Sequence, residues 1–336
     1  MIFTAHNEEK YIVEKLENCL SLDYPGDKLE ILAGLDGCTD RTAALAGSFH
    51  QRGLRLFISE QWIGKSKMCE RLIAESKSPI LIFTDANTML ERRTLRELVK
   101  PFEDSSVGAV TGCLQYKPDR HDGPIGEGMF KIFDNHLKHW ESGLHSSVIV
   151  EGSLYAVRRE LFENVPAGTP EDLVLAMRLV KKGKRVLYWK SAVSTERFTP
   201  NLKDEFRRKV RIANRTLAGL SAHPECLNPF RFGYYAFFLW AHRVLPFAVI
   251  FFLGALLLAT IKLQQGSDFW RLVLINQMVF YGLAMGYGIL GKRASRSLLG
   301  KLSYLTFFFC FFNAALLVGL WQWLKGEKIG VWEPCR

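Results

Sequence analysis

Ile80 to Asn87 reads ILIFTDAN, four apolar residues running into Thr84, Asp85, Ala86 and Asn87. A buried strand over the apolar part would present an acid and an amide at its tip. Side chains two apart in an extended segment point the same way, so Asp85 and Asn87 would face one ligand together. Mg2+ or Mn2+ takes one or two protein carboxylates and completes its shell with substrate phosphates and water. The tip is therefore a candidate cation site on a phosphorylated ligand; the plainer alternative is a strand ending in polar loop residues. The rest of the chain decides between them.

Upstream, apolar runs alternate with helical patterns. Met1 to Ala5 predicts a short strand, and Asn7 is placed to cap the next helix, with Glu8 and Glu9 in its first turn. Leu29 to Leu35 predicts a second strand, ending in Asp36, Gly37, Cys38, Thr39 and Asp40. There Gly37 supports a tight turn, and Thr39 or Asp40 caps a helix to His50. Leu54 to Ile58 is a third strand and Lys65 to Ser76 a further helix. Gly64, Lys65 and Ser66 resemble the end of a P-loop, but that motif needs a glycine where the chain has Ser59, so an ATPase reading fails. The alternation of strands and helices predicts an α/β, doubly wound, mostly parallel sheet, whose ligands lie beyond the carboxyl ends of the strands. Asp36 and Asp85 each end a strand and should share one rim.

Beyond Pro101, Val107 to Tyr116 predicts another strand, Pro118 to Gly128 a loop, and Met129 to Leu144 an amphipathic helix. His136, His139 and His145 on and after it lack an HExxH motif and are expected to be solvated or packed rather than zinc ligands. A short apolar segment follows, Glu151-Gly152-Ser153-Leu154-Tyr155-Ala156-Val157. In Thr169-Pro170-Glu171-Asp172, a cap, a first-turn proline and two acids make a strong helix start, which by itself would explain both acids, and Gly183 ends that helix. From Lys203 the chain reads KDEFRRKVRIANR, with Arg208, Arg211 and Arg215 on one helix face. Such a face suits lipid headgroups, or a diphosphate held by guanidinium forks.

Lysine and arginine exceed the acids by +10 over 336 residues, a balance that suits nucleic acid, anionic lipid or a phosphorylated substrate. No zinc-finger spacing, RNA-binding aromatic signature or long basic block is present, so nucleic acid is the weakest of the three. The seven cysteines are odd in number and never form CxxC, which predicts reduced thiols facing a cytosolic compartment. No signal peptide fits the polar start at His6 to Glu9. Val244 to Ile261 is uncharged and long enough for about 27 Å of helix against a hydrocarbon core of about 30 Å. Residues 272–290 and 302–324 supply two more candidate spans, the last with Trp321 and Trp323 at an interface. Residues 226–243 are aromatic but contain Arg243, and a central arginine costs about 2.5 to 3.5 kcal/mol to insert, so this piece is expected along the membrane surface. Lys292, Arg293, Arg296 and Lys301 make the loop between the second and third spans basic, which places it and the N-terminal domain in the cytoplasm. The tail, 325–336, would then lie outside, a tension that a re-entrant stretch would remove.

The ordered set TAHNEE, LDGCTD, GKS, FTDAN, EGSLYAVRREL, TPEDLVLAMRL and EFRRKVR, then apolar segments and WEP, resembles the membrane-bound family 2 glycosyltransferases, relatives of cellulose and hyaluronan synthases. No one motif is specific; their order is. The resemblance implies a GT-A domain over 1–225, the surface segment, and a membrane region over 244–324. It implies that the backbone around Thr4 and Ala5, with Glu8 and Asp36, holds the nucleotide of a nucleotide-diphosphate sugar, UDP above all, and that Asp85 and Asn87 bind Mg2+ or Mn2+. Lys65, Arg208 and Arg211 would add positive charge at the diphosphate. Asp172, with Glu171 beside it, would be the base for a lipid or glycan acceptor lined by Gly152, Ser153 and Tyr155, giving an inverting transfer at a cell membrane. Where the family often has DxD, this chain has Asp85-Ala86-Asn87, one carboxylate fewer. Where processive synthases carry QxxRW, it has Arg208 to Ile212 and no tryptophan to stack an acceptor sugar, so single transfer is at least as well supported as polymerisation. The chain also starts within its first strand, whereas many relatives carry a membrane helix before it, which leaves a truncated start open. The rival readings are an inactive nucleotide-sugar-binding or conduit protein, and a sugar-1-phosphate or nucleotidyl transferase, whose product would keep a donor phosphate.

Overall fold

The computed structural model describes residues 1–49, 52–117, 125–165, 169–197, 202–290 and 297–327. The polypeptide divides into two units, Met1–Pro200 with Ala218–Phe237, and Asn201–Leu217 with Phe238–Ile329.

The first unit is built on strands β1 (Ile2–Ala5), β2 (Leu32–Asp36), β3 (Arg55–Ser59), β4 (Ile80–Thr84), β5 (Met89–Leu90), β6 (Val107–Lys117), β7 (Leu154–Arg158) and β8 (Arg185–Arg197). They form one sheet in the order β3-β2-β1-β4-β7-β6-β8-β5. The first four pair in parallel, as the alternation of strands and helices predicts. β7 enters antiparallel between β4 and β6, and β6 pairs in parallel with β8, so the sheet is mixed. β2 is buried along its whole length, as expected for a strand covered on both faces. Helices α1 (Ile12–Leu20), α2 (Thr42–Gly47), α3 (Lys65–Glu75), α4 (Thr94–Val99), α5 (Ile125–Leu144) and α6 (Glu171–Lys181) complete the wrapping of the sheet. One core gathers Phe3, Ile12, Leu16 and Leu35; another gathers Met68, Leu72, Leu81, Val157 and Leu179. Gly183, with φ of 72°, stops α6 where the sequence places its end.

Some local expectations change. Asn7 does not cap a helix: α1 starts at Ile12, and Asn7 takes a left-handed φ of 55°. Its Oδ1 accepts instead from the amides of Thr39 at 2.8 Å and Asp40 at 3.3 Å, so a bond to the next strand end replaces a local cap. The cap expected at Thr39 or Asp40 falls on Arg41 instead, with Asp40 just before it accepting from Thr42 N at 2.9 Å; α2 ends at Gly47, and residue 50 lies outside the described residues. Of the predicted loop 118–128, residues 118–124 also lie outside them, and α5 begins at Ile125, ahead of Met129.

Helix α7 (Leu202–Ala222) carries the basic face and runs through both units. The residues expected along the surface include α8 (Pro229–Leu239), broken by Gly233 at φ of 51°, and a π turn, Trp240–Val244. They lead into α9 (Leu245–Leu263), which α10 (Asp268–Leu290) and α11 (Leu298–Leu324) follow. Three stretches, Pro229–Leu263, Asp268–Ile289 and Leu298–Leu324, are long and apolar enough to cross a membrane. Within the second unit Tyr287 packs on Tyr304 with ring centroids 5.1 Å apart, joining α10 to α11. Gly319 of α11 lies so close to α7 that an added Cβ would meet Ala213 Cβ at 2.6 Å. Lys292, Arg293 and Arg296 of the basic loop, and the WEP motif and tail from 328 onward, fall outside the described residues.

Gly37 ends β2 with φ of 58°, and a Cβ there would sit 2.4 Å from Trp62 N. Gly37→Ala should therefore cost about 1–3 kcal/mol or more, since strain and a backbone clash add. Thermal unfolding followed by circular dichroism would read this as a clear drop in Tm, and an unchanged Tm would contradict the geometry.

Candidate active site

The carboxyl ends of β1, β2 and β4 lie on one edge of the sheet because these strands run parallel. Thr4 and Ala5 close β1, Asp36 closes β2, and Asp85 follows β4 directly. β7 runs the other way, and Thr84 pairs with Leu154. That register brings the start of β7, and with it Gly152 and Ser153, to the same edge as Asp85. Val150 N donates to the carbonyl of Asp172 at 3.2 Å, so the first turn of α6 joins the strap that precedes β7.

After β4, exposure alternates as the i, i+2 reading requires. Thr84, Ala86 and Thr88 are buried, while Asp85 and Asn87 are partly open. Lys65, in the first turn of α3, reaches Asp85 Oδ1 with its Nζ at 2.6 Å. Burial disfavours the charge on Lys65, but Asp85, Cys69 and Glu171 more than offset that and hold its pKa above the ordinary lysine value. Lys65 is thus bonded to the acid after β4 and feels the charge of Glu171 in α6. Glu171 Oε1 accepts from the Tyr155 hydroxyl at 2.9 Å, and Tyr155, stacked on Phe83 at 4.9 Å, is held above its usual range by burial and then by Glu171. Glu171 is therefore positioned by Tyr155. Ser153 Oγ is buried without a hydrogen-bond partner among the described residues.

Asp36 is buried, and its two oxygens accept from the amides of Ile63 and Gly64, each at 2.8 Å. It ties the segment entering α3 to the end of β2, and so helps to set the place of Lys65. His6 Nδ1 donates to the Asp36 carbonyl at 2.6 Å in the same corner, and its ring stacks on Trp62 at 5.5 Å. Glu8 is pushed up to about 7 by burial, then by Asp85 and Asp40.

Sequence reasoning passes over several residues behind this rim. Lys15 is fully buried and donates from Nζ to Thr84 Oγ1 at 3.0 Å and to the Thr88 carbonyl at 2.6 Å. Burial lowers its pKa, against the opposing pull of Cys19, Asp85 and Glu196. The available signal was its place in the apolar stripe Ile12, Lys15, Leu16, Cys19. Thr88 Oγ1 donates at 2.6 Å to Glu196, which burial and then Asp85 push up to about 7. Glu151 accepts from Lys131, and from Lys138 at 2.6 Å, with Asp134 also bonded to both lysines. This buried cluster balances two cations against two acids.

A divalent cation fits Asp85 and Asn87 in one way. Among the described residues no three His, Cys, Asp or Glu side chains group as a metal cage, so an ion held there needs oxygens from a phosphorylated ligand and water. Arg208 and Arg211 belong to the second unit. Within it Arg208 pairs with Glu205 through two bonds, at 2.7 and 3.0 Å.

Residues 1–165 match the sequence profile described as Glycosyl transferase family 2. The probable glycosyltransferase YdaM of Bacillus subtilis (strain 168) is 24% identical over 244 residues, which are 63% of this chain and 54% of that protein. The beta-monoglucosyldiacylglycerol synthase of Synechocystis sp. is 30% identical over 114 residues, 33% of this chain and 24% of that one. The chain thus spans about half the length, or less, of these curated relatives. A solved mannosyltransferase, PcManGT from Pyrobaculum calidifontis, in complex with GDP-Man and Mn2+, aligns with a TM-score of 0.71 at 23% identity. The alignment covers 97% of this chain and 86% of that one, and at this identity it establishes the shared GT-A fold.

Glu8 supplies a pH signature. Its folded pKa of about 7 lies above the ordinary glutamate value, so the folded state holds a proton that the unfolded chain releases. Stability from this group is present at acid pH and is lost as pH rises to about 7. Glu8→Gln should flatten part of that decline in protein free of metal and donor, the remainder belonging to Glu196, and should raise Tm at mildly alkaline pH. Unfolding temperatures measured across the window check it; parallel curves for variant and parent would contradict it.

Proposed function

We propose, from the premise that the first half of this chain is a family 2 glycosyltransferase domain, that the protein transfers a sugar from a nucleotide-diphosphate sugar to a lipid or glycan hydroxyl with inversion at the anomeric carbon. The observation that carries this reading is the register of Thr84 with Leu154. It sets Asp85 and Lys65, suited to a diphosphate, on the same rim as Gly152, Ser153, Tyr155 and the acids of α6, suited to a hydroxyl acceptor.

Each residue then has a task. Asp172 takes the proton of the acceptor hydroxyl as that oxygen bonds to the anomeric carbon, while the bond from that carbon to the diphosphate breaks on the opposite face. The diphosphate gains charge as it leaves, and Lys65 is already within reach of the same locus. Glu171, bonded to Tyr155, fixes the first turn of α6 so that Asp172 faces the acceptor. Thr4, Ala5, Glu8 and the corner kept by Asp36 receive the nucleoside. Asp85 and Asn87 would hold Mg2+ or Mn2+, which when bound neutralises diphosphate charge. Arg208 and Arg211, on α7, are assigned to the departing phosphate. The candidate spans and the basic loop support a multi-pass protein of the cell membrane with the catalytic domain in the cytoplasm.

The deciding experiment is nucleotide release by membranes containing the protein, across UDP- and GDP-sugars, with and without Mn2+ or a chelator. Asp172→Asn should abolish transfer, a loss of a hundredfold or more being typical when a general base is removed, while nucleotide binding stays near that of the parent. Normal turnover by this variant would end the assignment. Asp85→Ala should instead weaken donor binding in the presence of Mn2+; an unchanged Mn2+ titration would move the cation elsewhere.

A further inference from the structure

Helix α5 is turned inside out. Between residues 130 and 144 its charged side chains, Lys131, Asp134, Lys138 and Glu141, point inward, where both lysines bond Asp134 and Glu151 in the buried cluster and Glu141 accepts from Val148 N at 3.0 Å. Its outer face carries Phe130, Ile132, Phe133, Trp140 and Leu144, exposed by 40, 60, 55, 59 and 61%. The other outward residues from 130 to 144 are His136, His139 and Gly143, so that face holds no Asp, Glu, Lys or Arg. At 100° per residue, Ile132, Phe133, His136, Trp140 and Leu144 share one side of the helix. Water is a poor neighbour for such a face, and folding has already used the charges of α5 elsewhere.

We propose that this face of α5 lies in the surface of a lipid bilayer, as a membrane contact of the catalytic domain separate from the spanning helices. Three observations favour lipid over another occupant. The same chain carries three stretches long and apolar enough to cross a membrane, so a bilayer is tethered to this domain. His145, just past the end of α5, contacts the ring of Tyr235 in α8, at 6.2 Å between centroids. Tyr235 belongs to the first of those stretches, Pro229–Leu263, and beside it Phe230, Tyr234 and Phe237 are exposed. The composition, aromatic with one tryptophan and two histidines, is that of a helix seated between headgroups and acyl chains, about 5–10 Å deep. Because its polar side is closed against the sheet, the contact works through apolar area, with little dependence on anionic lipid.

The test uses the full chain in nanodiscs of phosphatidylcholine, with or without bromine atoms high on the acyl chains, and reads tryptophan emission of the parent and of Trp140→Phe. The emission removed by the substitution should be strongly quenched by bromine, and should survive when bromine is placed near the chain ends. In the Trp140→Phe background, Leu144→Trp should restore quenchable emission. Both changes lie on the exposed face, and neither touches the proposed catalytic residues, so the readout is independent of any transfer activity. Equal bromine quenching of parent and Trp140→Phe would overturn the proposal. So would emission from Trp140 that bromine leaves intact but that shifts with protein concentration, because the face would then cover a second copy of the chain.

Discussion

Five residues of antiparallel ladder, Ile80 to Thr84 against Arg158 to Leu154, hold the two halves of the candidate site in one place. The parallel strands before β4 bring their own ends together simply by running the same way. The acids of α6 are tied to that edge through a strand that comes back. β7 does so, and its period fixes which side chains share a face: a slip of one residue would turn Tyr155 away from Glu171 and Phe83. The strap from Glu151 to Ser153 is in turn held by the buried lysines of α5 and by the hydroxyl of Thr111, which accepts from Glu151 N at 2.5 Å. The mixed sheet thus sets the geometry of the candidate site as well as the topology.

Much of this arrangement could be read from one dimension. The apolar run into Asp85 and the pairing of Asp85 with Asn87 are local properties, set by strand periodicity, and exposure alternates there as expected. Gly37 and Gly183 announced a turn and a helix end for the same reason: a positive φ is tolerated by glycine and little else. What escaped was non-local. Nothing near Asp36 shows that its carboxylate accepts from Ile63 and Gly64. The cap expected of Asn7 gave way to bonds with Thr39 and Asp40, on the end of the neighbouring strand. The long strand β8 was unmarked, because its burial alternates only in part and it carries Lys190 and Arg185. The ion cluster around Glu151 draws on residues whose charges, in sequence, promise solvent.

Physical roles also sort the two acids of the TPED motif. Either would stabilise the start of α6 through the helix dipole, so their presence alone said little. Tyr155 distinguishes them by bonding Glu171. Arginines 208 and 211 are a different case. Their helix is basic as the sequence suggests, yet Arg208 already meets Glu205 within its own unit, so work on a phosphate would require exchange of one partner for another.

The buried ammonium of Lys15 has a further consequence. It is satisfied by Thr84 and Thr88, the two residues that bracket Asp85 and Asn87. If that turn swung away, it would leave a buried amine without its hydrogen-bond partners, a larger cost than the loss of a surface contact. The turn is therefore among the least adaptable pieces of the domain. Under the proposed function, changes of sugar or acceptor preference over evolutionary time would be drawn from the loops facing the turn, with the turn itself kept as a fixed support.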